Sequence, residues 1–238
     1  MGTLINAALI LLGGTIGLVF KKAVSKQMEF SIHKATGVAV LIIGICGVLS
    51  AMLKVRDGAI SSSGELILVV SLTLGTFLGE LLKLEERLNK GCKWIEGKCK
   101  MSDFSTGFLT ATMIYCIGAM AIVGSINDGL LGDSSTLVTK GIIDGITSVV
   151  LAASLGYGVL FSVIPILIYQ GGMTLLAGLL DRVLVGELLS NICMVGYALV
   201  MCIGINFLTN DDKQIKTVNM LPALLVPVGY EIIKNIIG

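Results

Sequence analysis

The chain has 238 residues, of which 55% are hydrophobic and 14% charged, with a net charge of +1. A soluble domain carries roughly 25% charged residues, so the composition is that of a membrane protein. No basic arm or aromatic-interleaved basic patch accompanies the near-neutral charge, which sets nucleic-acid binding aside.

The charges collect into short clusters separated by apolar runs of about the 17–25 residues that cross a ~30 Å hydrocarbon core. Hydropathy predicts spans near residues 3–20, 36–53, 64–82, 104–124, 138–155, 159–180, 187–208 and 218–237. Span 1 begins at Thr3 with no basic residues before it, and Lys21-Lys22 follow it, so it reads as a retained span and not a cleavable signal. It carries Asn6 and the run Gly13-Gly14-Thr15-Ile16-Gly17, a composition suited to breaking a helix. Lys21 to Lys34 mixes four lysines with Val24, Met28, Phe30 and Ile32; it reads equally as a short interfacial helix and as a solvated loop.

Span 2 carries Gly44, and span 3 ends on Glu80-Leu81-Leu82-Lys83. The basic loop beyond holds Cys92 and Cys99, but their spacing fits no zinc pattern and the chain has one histidine, His33. No metal or cofactor is expected. Cys46, Cys116, Cys193 and Cys202 lie in apolar runs and read as small buried hydrophobes.

The stretch from Gly118 to Ser148 is the least membrane-like. Asn127-Asp128-Gly129 and Gly132-Asp133-Ser134-Ser135 are turn and N-cap chemistry, which predicts one helix ending near Ser125 and another beginning near Ser134. Asp128 and Asp133 read equally as loop caps and as functional groups. Lys140, Asp144 and Ser148 recur at i, i+4 and i+8 and so share one helix face, with Thr147 adjacent. An ionisable group at the centre of a span costs at least ~2.5–3.5 kcal/mol, which selects for a partner or an aqueous cavity. Lys140 is a partner within reach; a structural pair near the interface, with the lysine snorkelling, is the other reading. A re-entrant hairpin is an alternative to span 5.

Span 6 places Pro165 before Gln170-Gly171-Gly172, a pattern for a broken helix whose freed backbone groups contact a solute, or for close helix packing through small residues. Span 7 carries Gly204. Span 8 has Pro222 and Pro227 ahead of Glu231-Ile232-Ile233-Lys234 and is expected to kink.

Positive charges set the orientation. With the N-terminus outside, the inner segments hold twelve lysines and arginines and the outer segments five, which favours N-out and C-out. The sparse pattern of Gly13-Gly14, Gly44 and Glu80 recurs as Gly171-Gly172, Gly204 and Glu231. Span 1 runs inward and span 6 outward, so spans 1–3 and 6–8 would form an inverted repeat with a pathway at its axis. Glu80 and Glu231 then stand at opposite ends, as interfacial ion pairs with Lys83 and Lys234 or as gates.

The Gly13 to Gly17 run, Leu74-Gly75-Thr76-Phe77-Leu78-Gly79-Glu80, the stretch from Gly118-Ala119-Met120 to Gly132-Asp133 with Lys140 and Asp144, and Gln170-Gly171-Gly172 together resemble domain-of-unknown-function family 554, the YqgA/YdfK-like bacterial membrane proteins. The resemblance covers nearly the whole chain. It implies a multi-pass protein of the bacterial cytoplasmic (inner) membrane and a possible transporter, and it supplies no substrate or catalytic residues.

The expectation is an all-α integral membrane protein of about eight spans, in one transmembrane domain: repeat A over 1–100, a polar broken-helix element over 101–158, and repeat B over 159–238. It would act as a transporter or channel for an unknown small solute or ion. The expected pathway is lined by Asn6, Gly13, Gly14, Lys140, Asp144, Gln170, Gly171 and Gly172, with Glu80, Glu231, Asp128 and Asp133 as gating or ion-linked groups. A structural or regulatory membrane protein is the alternative. No nucleophile elbow, P-loop, dinucleotide fingerprint or His-x-x-x-His occurs, so no enzyme is expected. Beyond the bilayer, a homodimer is a plausible partner arrangement for so small and glycine-rich a bundle.

Overall fold

The computed structural model describes residues 1–23, 26–56, 59–87, 90, 104–116, 119–180, 186–209 and 214–237. The elements in chain order are α1 (Gly2–Ala23), α2 (Lys26–Met52), β1 (Leu53–Arg56), β2 (Ala59–Ser62), α3 (Glu65–Leu82), α4 (Phe104–Cys116), α5 (Ala119–Leu131), α6 (Ser135–Leu155), α7 (Gly158–Phe161), α8 (Val163–Leu175), α9 (Ala177–Leu180), α10 (Gly186–Leu208), the 3-10 helix η1 (Thr217–Leu225) and α11 (Val226–Ile237). Six stretches are long and apolar enough to cross a membrane: 2–21, 34–52, 65–82, 135–155, 158–175 and 186–208. A seventh results if α4 and α5, bent by 61°, count as one crossing. The chain is thus a helical membrane protein, with predicted spans 1, 2, 3, 5, 6 and 7 each matched by such a stretch. The predicted Cys92 and Cys99 loop lies outside the described residues.

The chain divides into two compact units, Met1–Thr36 with Asn89–Val183, and Gly37–Leu88 with Leu184–Gly238. Compactness divides it differently from the expected repeat, since each unit draws on both halves of the sequence.

In the first unit the most extensive pairing is α1 with α6. The sequence explains it. Gly13 and Gly17 are spaced i, i+4 on α1, and Gly141 and Gly145 are spaced the same way on α6; small residues at this spacing let backbones touch where no hydrophobic effect drives helices together. A Cβ at Gly13 would overlap the Gly145 carbonyl oxygen, one at Gly17 the Val149 carbonyl oxygen, and one at Gly141 would lie 2.9 Å from the Asn6 Cα. Asn6 and the Lys140–Asp144 turn are therefore brought side by side. At one end of this unit Phe104, Phe108 and Phe161 pack ring on ring, at 5.6 and 5.1 Å between centroids.

In the second unit α2 and α10 run antiparallel and cross at glycine on both sides. A Cβ on Gly44 would lie 2.6 Å from the Met201 nitrogen, and one on Gly204 would lie 2.5 Å from the Leu41 nitrogen. Helix α3 packs on η1 in the same manner: added carbons at Gly75 and Gly79 would overlap Ala223 and the Asn219 carbonyl. The β1–β2 hairpin, pairing Leu53 with Ser62 and Arg56 with Ala59, links α2 to α3.

Several expectations change. Helices α1 and α8 run unbroken through Gly13-Gly14 and Gly171-Gly172. Glycine costs a helix only ~1 kcal/mol, whereas an unpaired amide in a dry interior costs roughly 2–7 kcal/mol, so the hydrogen-bond ladder survives the glycines. Pro165 sits in the first turn of α8, where its missing N–H removes no ladder bond. The interruptions of this span fall at Ser162 and Leu176. Nor do the two glycine pairs meet. Gly13 lies on Gly145 and Gly14 on Leu160, while a Cβ on Gly171 or Gly172 would meet no described atom within 4 Å.

Helix α5 continues six residues past Ser125, whose hydroxyl bonds back to the Ala121 carbonyl at 2.7 Å. The turn comes at Gly132, with φ +68°, a conformation glycine adopts without strain. Residues 26–52 form one helix, so the lysine-rich segment up to Lys34 is neither a separate interfacial helix nor a loop over its described part. Helix α6 is continuous over 21 residues, which replaces the re-entrant alternative for span 5. Cys193 and Cys202 are buried as expected, whereas Cys46 is exposed.

Candidate functional site

The expected pathway residues do not gather equally. Asn6, Lys140, Asp144 and Gln170 form one buried group in the first unit, with residue exposures of 0%, 6%, 5% and 0%. The Asn6 amide donates to Gln170 Oε1 at 3.2 Å, joining α1 to α8. The Asn6 side chain also interacts with the Asp144 carboxylate. Lys140 Nζ donates to Asp144 Oδ2 along the same face of α6, as the i, i+4 spacing requires. Ser148, one turn further on, bonds back to the Asp144 carbonyl at 2.7 Å and shares a 2.7 Å hydrogen bond with the Tyr115 hydroxyl from α4. The Lys140 ammonium stands 5.9 Å from the centroid of the Tyr115 ring. A cation over an aromatic face is stabilised by the ring quadrupole, and more so when desolvated. The two charges compensate each other, and their polar neighbours Asn6, Tyr115 and Ser148 are neutral.

Gly13 and Gly14 set the spacing of this group through their packing. Gly171 and Gly172 follow Gln170 on α8 and are half-buried, and an added Cβ on either would meet no described atom.

Asp128 is buried and caps α1. Its Oδ2 accepts from the Met1 nitrogen at 2.9 Å and the Gly2 nitrogen at 3.1 Å. A carboxylate at a helix N-terminus satisfies orphan N–H groups and complements the positive end of the dipole. Asp133 caps α6 instead. Its Oδ1 accepts from the Ser135 nitrogen at 2.9 Å, and Ser135 holds the carboxyl below the usual aspartate range. Ser134, the residue expected to cap, makes no side-chain cap bond.

Glu80 and Glu231 lie in the second unit, and among the described residues neither makes a salt bridge with its expected lysine, although Lys234 also feels the Glu231 charge. Lys83 adopts a left-handed conformation that closes α3, and Glu80 pairs with Lys216 at 3.2 Å. Lys234 pairs with Glu187 at 3.3 Å. Both pairs are about half exposed, where an ion pair contributes at most ~1 kcal/mol.

Sequence reasoning missed Tyr115, Thr3, Thr174, Glu85 and Asn219. Tyr115 had a usable signal, as a lone phenol inside an apolar run. Glu85 and Asn219 come together only through the fold: Asn219 Oδ1 accepts from the Glu85 nitrogen at 2.8 Å, and burial pushes the Glu85 carboxyl up.

The family model described as "Protein of unknown function (DUF554)" matches residues 1–231. Among curated proteins, "Uncharacterized membrane protein YdfK" of Bacillus subtilis (strain 168) is 32% identical over 226 residues, covering 95% of this chain and 93% of the relative. "Uncharacterized protein YqgA" of Escherichia coli (strain K12) is 28% identical over 233 residues, covering 95% and 94%. No solved structure matches. A family match over nearly the whole chain, on a helical membrane protein whose relative carries the same description, places this chain in the DUF554 family.

Proposed function

We propose that the protein carries a small solute or an ion across the bacterial cytoplasmic membrane, along the polar seam between α1, α6 and α8. One observation carries this reading: a charged pair, Lys140 and Asp144, lies buried within a candidate span, beside two neutral amides from two other helices. Ionisable groups inside spans are costly and mark ion and solute pathways. A purely structural pair would be replaceable by apolar side chains with little loss.

The eight-span, inverted-repeat arrangement belongs to the same proposal. Three pairings support it, because each joins the helices that the repeat equates: α1 with α8 through Asn6 and Gln170, α2 with α10 through Gly44 and Gly204, and α3 with η1 through Gly75 and Gly79. The eighth crossing is η1 followed by α11. Nine residues at ~2.0 Å and twelve at ~1.5 Å give about 36 Å, enough for the hydrocarbon core. The 3-10 geometry of its first half keeps this segment from reading as one long α-helix.

The continuity of α1 and α8 favours the structural alternative, so the test separates the two. The purified protein is reconstituted into liposomes, and flux is followed for protons, alkali cations, urea, acetamide, glycerol and amino acids. Flux of at least one of these is expected, together with its loss in the neutral double variant Lys140→Gln/Asp144→Asn. That variant avoids the ~3–5 kcal/mol destabilisation of leaving one buried charge alone. Absence of flux for every probe, or a double variant that folds and transports like the parent, would overturn the reading.

A further inference from the structure

The seam between α1 and α8 holds polar atoms that no described protein group satisfies. Among the described residues seven buried side-chain oxygens or nitrogens lack a hydrogen-bond partner, and four belong to this seam: Thr3 Oγ1, Asn6 Oδ1, Gln170 Nε2 and Thr174 Oγ1. A buried polar atom left without a partner is destabilising, and four of the seven gather on this one seam. Their placement is regular. Thr3 and Asn6 are three residues apart on α1, and Gln170 and Thr174 four apart on α8; both spacings put the pair on one helix face. Asn6 and Gln170 are joined directly. Consecutive residues of α5 fix the two threonines' ends, since Asp128 grips Gly2 and Gly129 packs on the Thr174 carbonyl.

The chemistry of the set is specific. The amide pair leaves one acceptor and one donor unused, and exchanging the oxygen and nitrogen of both amides again leaves one of each. The threonine hydroxyls each give and accept. No net charge is present, because Lys140 and Asp144 neutralise each other. An ion entering this seam would lose its hydration without a compensating charge. A neutral group with a carbonyl beside an N–H supplies the complement of this set: an N–H for Asn6 Oδ1, an oxygen for Gln170 Nε2, and a further N–H or lone pair for a threonine hydroxyl.

We propose that the α1–α8 seam binds the amide group of a small neutral solute, of the primary carboxamide or urea class. Binding stands on this geometry alone; only the assignment of that solute as cargo rests on the transport reading. Sites built to hydrogen-bond a polar group reject analogues that lack it, which makes the class testable.

Acetamide and urea are titrated against the purified protein in lipid nanodiscs, with acetate, glycerol and sodium chloride as comparisons, and the thermal unfolding midpoint is read. Acetamide and urea fluxes are then measured in proteoliposomes. Saturable stabilisation by acetamide at low millimolar concentrations, where urea is not yet denaturing, is expected, with none from acetate or sodium chloride. Gln170→Leu should weaken acetamide about tenfold, the loss of one buried hydrogen bond. Thr174→Val, which keeps the shape, should weaken it a few-fold and guards against misfolding of the first variant. Stabilisation by sodium chloride or acetate instead, or equal response to all probes, overturns the proposal. Binding of acetamide without flux of acetamide or urea sustains the site and removes their assignment as cargo. Flux of another solute with no amide binding overturns the site and sustains the transport reading.

Discussion

Glu85 shows how a residue just past the end of an apolar helix comes to matter. Its backbone nitrogen is held by Asn219, one carboxylate oxygen has no partner, and burial raises its pKa. The charged form is the disfavoured one in the folded protein. Stability is therefore greatest below the ordinary glutamate value of about 4.3 and declines as pH rises through the raised native value. Glu85→Gln should raise the unfolding midpoint at pH 7, with the gain closing as pH falls towards 4; thermal unfolding in detergent across that range checks it. A gain independent of pH would mean the side chain acts through packing alone. Nothing near Glu85 in the sequence pointed to this, because Asn219 is 134 residues away. Asp144 was different. Its cost in an apolar helix and its i, i+4 lysine were both visible in the chain, as were Asn6 and Gln170 as companions on one pathway, and the structure adds the contact between them that no local pattern holds, a hydrogen bond across 164 residues.

At the level of elements, the same residue type has opposite meanings in α1 and α8. Gly13 is required by contact, since any side chain would overlap the backbone of Gly145, whereas a Cβ on Gly171 or Gly172 would meet no described atom. Gly13→Ala should lower the unfolding midpoint markedly by forcing α1 and α6 apart. Gly171→Ala should leave it unchanged or slightly raised, because the helix gains up to ~1 kcal/mol of propensity. Comparison of the two midpoints decides it, and equal losses would contradict the packing described. The sequence displayed both glycine pairs as equivalent. Which of them is a contact depends on what faces it, and periodicity along one helix carries no information about its neighbour. Helix limits were legible where the backbone itself must change hand, as at Gly132, and illegible where polar residues suggested a turn. Asn127 and Asp128 stay helical because Asp128 is engaged in capping α1.

For the whole molecule, hydropathy and charge conveyed the helical membrane class and most crossings, because both follow from the one-dimensional cost of putting charge in lipid. The bent α4–α5 pair and the η1–α11 segment were harder, since their geometry comes from packing and not from hydropathy. The N-out, C-out orientation is open to direct measurement. Single cysteines introduced at Ser61 in the hairpin and at Arg87, in a variant with the native cysteines replaced, should be labelled by a membrane-impermeant maleimide from outside and inside respectively; the reverse pattern would invert the proposed topology. The reciprocal contact of Gly44 and Gly204 also carries a mechanical consequence. The close approach recurs along the crossing, with Gly37 on Phe207, Gly44 on Met201 and Gly47 on Tyr197, so the two helices meet along a stripe and not at a point. A stripe of this kind resists pivoting, and α2 and α10 would move as one body. Towards the Gly186 end Ser190 donates to the Ala51 carbonyl at 3.5 Å and the exposed Glu187 pairs with Lys234; of these, salt would loosen only the ion pair.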